Sequence, residues 1–97
     1  MEHFYQNIQG WFSFAGIYSD QVKLAQDGAH FVEVGAWLGK STAFMGVEII
    51  NSGKKIKFDV IDIWDDINQT TGIKGITDIY NSYLKNVEPI ENGKIYV

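Results

Sequence analysis

The sequence predicts an α/β fold: one domain over residues 1–97, built on a parallel sheet of about three strands. Two apolar runs that each carry an acid near their end, and the helix start between them, carry that prediction. The first run, Phe31-Val32-Glu33-Val34, opens into Gly35-Ala36-Trp37-Leu38-Gly39 and then Lys40-Ser41-Thr42. The second, Phe58-Asp59-Val60-Ile61-Asp62-Ile63-Trp64, reaches its acid at Asp62. A strand, a glycine-bracketed turn, a helix and a second strand closed by an acid form the βαβ layout of a nucleoside-binding half-sheet. In that layout the second acid accepts hydrogen bonds from ribose hydroxyls.

Composition narrows the class. Ninety-seven residues hold a modest core, and 45% hydrophobic with 14% aromatic residues argue against disorder. A net charge of -4 argues against a nucleic-acid backbone as the main partner, because neutralising phosphates takes clustered Lys and Arg. The cluster Lys54-Lys55-Ile56-Lys57 reads as a solvated strand entry. No cysteine is present, so thiol chemistry and cysteine-ligated metals are out. No apolar run approaches the roughly 20 residues of a membrane span, and Met1-Glu2-His3-Phe4 lacks the basic start of a signal peptide. The expected setting is cytoplasmic, with no membrane partner.

In chain order, Phe4 to Ile8 reads as a short helix stopped by Gly10, followed by an aromatic cluster of Trp11, Phe12 and Phe14 that caps a nearby face. Ile17 to Gln26 reads as a helix with Ile17, Val22 and Leu24/Ala25 near one face, Ser19 or Asp20 as its cap and Gly28 after its end. Phe31 to Val34 suits a strand covered on both faces. Ser41 to Asn51 is the clearest helix, with a Ser-Thr pair at its start, Ala43, Phe44, Val47 and Ile50 as apolar positions, and Gly53 past its end. Ile56 to Ile63 is the second strand, with Ile56, Phe58 and Val60 on one face and Asp59 on the other. Asp65 to Gly75 reads as a loop and Ile76 to Asn86 as a second crossover helix, which Pro89 prevents from continuing. A third strand starts at Lys94-Ile95-Tyr96-Val97.

The chemistry sits in the first turn. Gly35 and Gly39 permit positive φ and leave backbone open to a ligand. The N–H groups opening the Ser41 helix favour a carboxylate or other anion, and Glu33 suits a cation such as an α-amino group. An amino-acid end at this turn and a ribose at Asp62 together describe S-adenosylmethionine. Dinucleotide binding fits less well, since Gly-x-Gly-x-x-Gly needs glycines where Trp37 and Lys40 stand. A phosphate-binding P-loop is one residue short between Gly35 and Gly39.

Glu33-Val34-Gly35-Ala36-Trp37-Leu38-Gly39-Lys40-Ser41, with Phe58 to Trp64 downstream, resembles the class I S-adenosylmethionine-dependent methyltransferases, nearest to small stand-alone bacterial and phage types. Gly10-Trp11-Phe12 and Gly28-Ala29-His30-Phe31 extend the likeness over nearly the whole chain. The resemblance implies a three-layer Rossmann-like parallel sheet, of which this chain supplies about the first three strands: a partial domain, the cofactor-binding half. It implies a first cofactor loop from Glu33, Gly35, Ala36, Trp37 and Gly39. Lys40 and Ser41 would border the methionine end, Asp62 the ribose, and Ile63 and Trp64 the adenine. The family commonly has glycine where Trp37 stands. The implied reaction is methyl transfer to an acceptor that the sequence does not name, with no catalytic base assigned. The first strand would lie mid-sheet in the family's order, which leaves Phe31, Val32 and Val34 on an open edge and predicts that the isolated chain is marginally stable and self-associates, or that it comes from a longer protein.

Plainer readings stand beside these: Glu33 as a partner for nearby N–H groups, Asp62 as a turn acid, Trp64 as a packing aromatic, Lys40 as a solvated lysine. Tyr80 and Tyr83 read as packing residues, and His3 and His30 as structural or surface residues. Asp59, Asp62, Asp65 and Asp66 read as a solvated rim rather than a metal site. A non-catalytic truncated module and another nucleotide-binding half-domain remain the alternative functions.

Overall fold

A computed structural model describes residues 1–64 and 78–90 and the backbone of 95–96. A 3₁₀ turn at Tyr5–Asn7 leads to α1 (Ala15–Leu24), β1 (His30–Val34), α2 (Lys40–Ser52), β2 (Lys57–Ile61), α3 (Ile79–Val87), a second 3₁₀ turn at Glu88–Ile90 and β3 (Ile95–Tyr96). Helix and strand alternate in the predicted order. The sheet is parallel in the order β1-β2-β3, with Phe31 opposite Phe58, Glu33 opposite Val60 and Val34 opposite Ile61. The expected loop over 65–75, the start of the expected helix at 76–77, and Lys94 and Val97 of the third strand lie outside the described residues.

The inward face of the sheet makes the core. Phe58, Val60 and the preceding Ile56 are buried as their alternation predicts, while Asp59 points the other way and pairs with His30 at 2.6 Å. Val22 of α1, Val47 and Ile49 of α2, and Tyr83 and Val87 of α3 close over that face as one cluster. At about 25 cal/mol per Å² of apolar area removed from water, this cluster is the main stabilising element. Among the described residues, no helix covers the outward face. Val32 and Ile61 are exposed and Val34 is 78% exposed, so β1 is not covered on both faces as its apolar run predicts. The described elements therefore build two layers, helices on one side of a sheet.

Helix ends depart from the expected chemistry. Gly39, at φ +95°, is the N-cap of α2, and neither Ser41 nor Thr42 caps it. At the other end Gly53 adopts φ +68° and its N–H reaches the Ile50 carbonyl, the predicted left-handed stop. Phe14, not Ser19 or Asp20, precedes α1, where Val22 is buried but Ile17 and Leu24 are exposed. α3 starts at Asp78, whose carboxylate accepts the Asn81 N–H at 3.0 Å.

Candidate functional site

The loop from Gly35 to Gly39 leaves β1 and enters α2 through three left-handed residues: Gly35 at φ +86°, Trp37 at +49° and Gly39 at +95°. For glycine this conformation is free; for tryptophan it costs energy and persists only where neighbours enforce it. Neighbours from three parts of the chain surround the loop here. Asp62 Oδ2 accepts the backbone N–H of Ala36 at 2.6 Å and of Trp37 at 2.8 Å. The Asn86 side-chain amide on α3 donates to the Leu38 carbonyl at 2.9 Å. Gly39 lies so close to α3 that a Cβ there would come within 2.7 Å of Val87 Cγ1 and 3.0 Å of the Tyr83 ring. From the N-terminal segment, Ile8 packs on Leu38 and Trp11 stacks on Trp37 at 5.7 Å.

Asp62 closes the other side of the site. Its Oδ1 accepts the Trp64 N–H at 2.9 Å, folding the residues after β2 back on themselves, with Trp64 at φ +58°. Burial alone would raise its pKa. The backbone N–H groups of Trp37, Trp64, Ala36 and Ile63 outweigh that and hold the carboxyl below its ordinary value. Asp62 is therefore a charged tie between the carboxyl ends of two neighbouring parallel strands, the location at which open α/β sheets bind ligands.

Gly35, Ala36, Trp37, Gly39, Asp62 and Trp64 come together in this way. Ile63 stands exposed beside them, while the Trp64 ring leans on Tyr83 at 4.4 Å and Tyr80 at 5.1 Å and serves as wall more than as free surface. Two predicted site residues point elsewhere. Glu33 is 7% exposed on the inward face, where the hydroxyls of Tyr18 (2.7 Å) and Thr42 donate to its two oxygens. Lys40 is half-buried: its Nζ donates to the Ile8 carbonyl at 2.9 Å and lies over the Tyr5 ring. Ser41 sits in the first turn of α2 next to Tyr18.

Sequence reasoning missed Tyr18 and Thr42 as partners of Glu33, and Asn86 as the donor to Leu38. Thr42 left a signal, a hydroxyl in the first helical turn, but it read as a cap. Asn86 left none, since nothing in the α3 pattern says which carbonyl its amide meets. The histidines behave as structural residues, His3 on Glu48 at 3.1 Å and His30 on Asp59. Among the described residues no three acids or histidines gather around a metal position, and no helix is long and apolar enough to cross a membrane.

Two features of this loop are open in the structure. The α2 N-terminus has no side-chain cap, and helix starts of this kind favour anions. A Cβ built on Gly35 would meet nothing within 4 Å, which leaves clear space against the backbone at the head of the loop. No family model, curated protein or solved structure matches this chain.

Proposed function

We propose that the chain binds S-adenosylmethionine at the mouth between the ends of β1 and β2, as the cofactor half of a class I methyltransferase with the Rossmann-like order of strands. The observation that carries this reading is the Asp62 carboxylate holding Ala36 and Trp37 by their N–H groups. That tie joins an acid to a loop that holds a glycine with clear space over it and leads into a helix start without a side-chain cap. The donor set suits the cofactor: the α2 N–H groups for its carboxylate, the clear space at Gly35 for its backbone approach, and Asp62 for the ribose. In this reading a ribose hydroxyl meets the same Asp62 carboxylate whose Oδ1 accepts the Trp64 N–H. Ile63 and the edge of Trp64 flank the position for a base.

The implied chemistry is transfer of the sulfonium methyl group to an acceptor's nucleophile arriving in line. What these residues contribute is positioning, with the loop preformed before the ligand arrives. Glu33 acts indirectly. Its bonds to Tyr18 and Thr42 join β1, α1 and α2 below the loop and set the angle at which α2 leaves it.

Isothermal calorimetry with S-adenosylhomocysteine, NAD and ATP tests the reading. Binding of the first in preference to the other two is expected. Preference for NAD or ATP, or binding of none, overturns it.

A further inference from the structure

The N-terminal segment is strapped along α2. The Met1 ammonium donates to Asn51 Oδ1 at 2.7 Å, His3 meets Glu48, and Tyr5 and Phe12 pack around Phe44. Ile8 is buried against Leu38, and its carbonyl takes the Lys40 Nζ. The strap then turns at Gly10, φ +136°, where a Cβ would sit 3.4 Å from the Trp37 ring, and ends its run on the loop with Trp11 stacked on Trp37 at an interplanar angle of 28°.

Trp11 is 76% exposed. An indole left largely in water gains little from burial, so packing does not explain its place. Its stacking partner is the one loop residue that is both left-handed and not glycine. That conformation relaxes unless its surroundings over-determine it. Asp62 holds the Trp37 backbone, and the strap holds the Trp37 ring.

We propose that Trp11 is a positioning residue: by clamping the Trp37 ring, the strap holds the Gly35–Gly39 loop in the left-handed path that points its Ala36 and Trp37 N–H groups at Asp62. The role in ligand binding rests on the cofactor reading above, but the clamp itself does not.

Amide hydrogen exchange by NMR on the full chain separates the two. Trp11→Ala is compared with Trp11→Phe, which keeps an aromatic face on Trp37, and the buried α2 amides of Val47 and Ile49 serve as the reference. In Trp11→Ala, exchange at Ala36 and Trp37 is expected to rise about tenfold with Val47 and Ile49 unchanged, the signature of local opening. Trp11→Phe is expected to restore most of the protection. Unchanged exchange at Ala36 and Trp37, or an equal rise at all four amides, overturns the clamp. Where the parent binds S-adenosylhomocysteine, Trp11→Ala should weaken it several-fold and Trp11→Phe should recover it, and faster exchange with unchanged affinity overturns the positioning role. Local opening in a chain whose parent binds no S-adenosylhomocysteine leaves the clamp standing and removes the cofactor reading.

Discussion

The Trp37 backbone N–H donates to Asp62 Oδ2 at 2.8 Å across 25 positions of sequence, tying the loop after β1 to the end of β2. A carboxylate held by several N–H groups is one of the stronger neutral-to-charged arrangements available to a protein. Replacing Asp62 by Ala leaves the Ala36 and Trp37 N–H groups without their acceptor and removes the proposed ribose contact. The expected result is an intact circular dichroism spectrum with S-adenosylhomocysteine affinity lower by at least about 1.5 kcal/mol. Parent-like affinity in calorimetry would show the ribose assignment to be wrong.

The same tie makes a pH prediction. Asp62 has a folded pKa below its ordinary value of 3.8, so the stabilisation it brings is fully present above that value and is lost as pH falls through the lowered folded value. Comparing acid unfolding of the parent and Asp62→Asn should show stability curves that converge below about pH 4, where the unfolded carboxyl is itself protonated. A constant gap down to strongly acidic pH counts against the tie.

Gly35 and Gly39 are expected to respond differently to alanine. At Gly39 the new Cβ meets Val87 and Tyr83 in addition to a left-handed φ, so a loss of about 2–4 kcal/mol is expected, partly recovered by Val87→Ala. At Gly35 the Cβ has room and only the φ strain of about 1–2 kcal/mol applies, but it occupies the ligand's approach. Chemical denaturation and calorimetry on the two variants should therefore show a stability defect at Gly39 and a binding defect at Gly35.

Tyr18 offers a test of the buried acid. Burial, followed by its bond to Glu33 and the charge of that carboxylate, pushes the phenol's pKa well above the ordinary value of 10. Stability from the neutral phenol is fully present below pH 10 and lost as pH rises toward the folded value. Tyr18→Phe removes one of two side-chain donors to Glu33 and is expected to cost about 1.5–3 kcal/mol at neutral pH. The gap to the parent should narrow in alkaline melts, and a variant that melts like the parent at pH 7 sinks the account.

The outer face predicts association. Val32 and Val34 on the open edge of β1, Ile61 opposite Val34, and Ile63 just past β2 are all exposed. Sedimentation of the 97-residue chain is expected to show self-association, reduced in Val32→Lys/Val34→Lys. A stable monomer with a sharp, high-temperature transition would show that the face tolerates water unaided.

Local spacing made much of this molecule legible in advance. The order of helices and strands, the inward set Ile56, Phe58 and Val60, the outward Asp59 and the left-handed Gly53 all follow from periodicity and turn chemistry within a few residues. The opposite outer face of β1 was misread because an apolar run signals burial on both sides without saying whether a second layer is there to cover it.

By itself the sequence determined a βαβ unit with an acid near each strand end and a loop that needs glycine at both of its ends. Only the tertiary structure decided what those residues meet. Gly39 is required by Val87 and Tyr83 as well as by its φ, Lys40 is drawn to the Ile8 carbonyl, Glu33 is taken by Tyr18 and Thr42, and Asp62 reaches the Ala36 and Trp37 N–H groups. The reason is physical: conformational preference is set by neighbours along the chain. Hydrogen-bond and packing partners are chosen when distant segments close over one core, and their identities leave no periodic trace in the residues that later receive them.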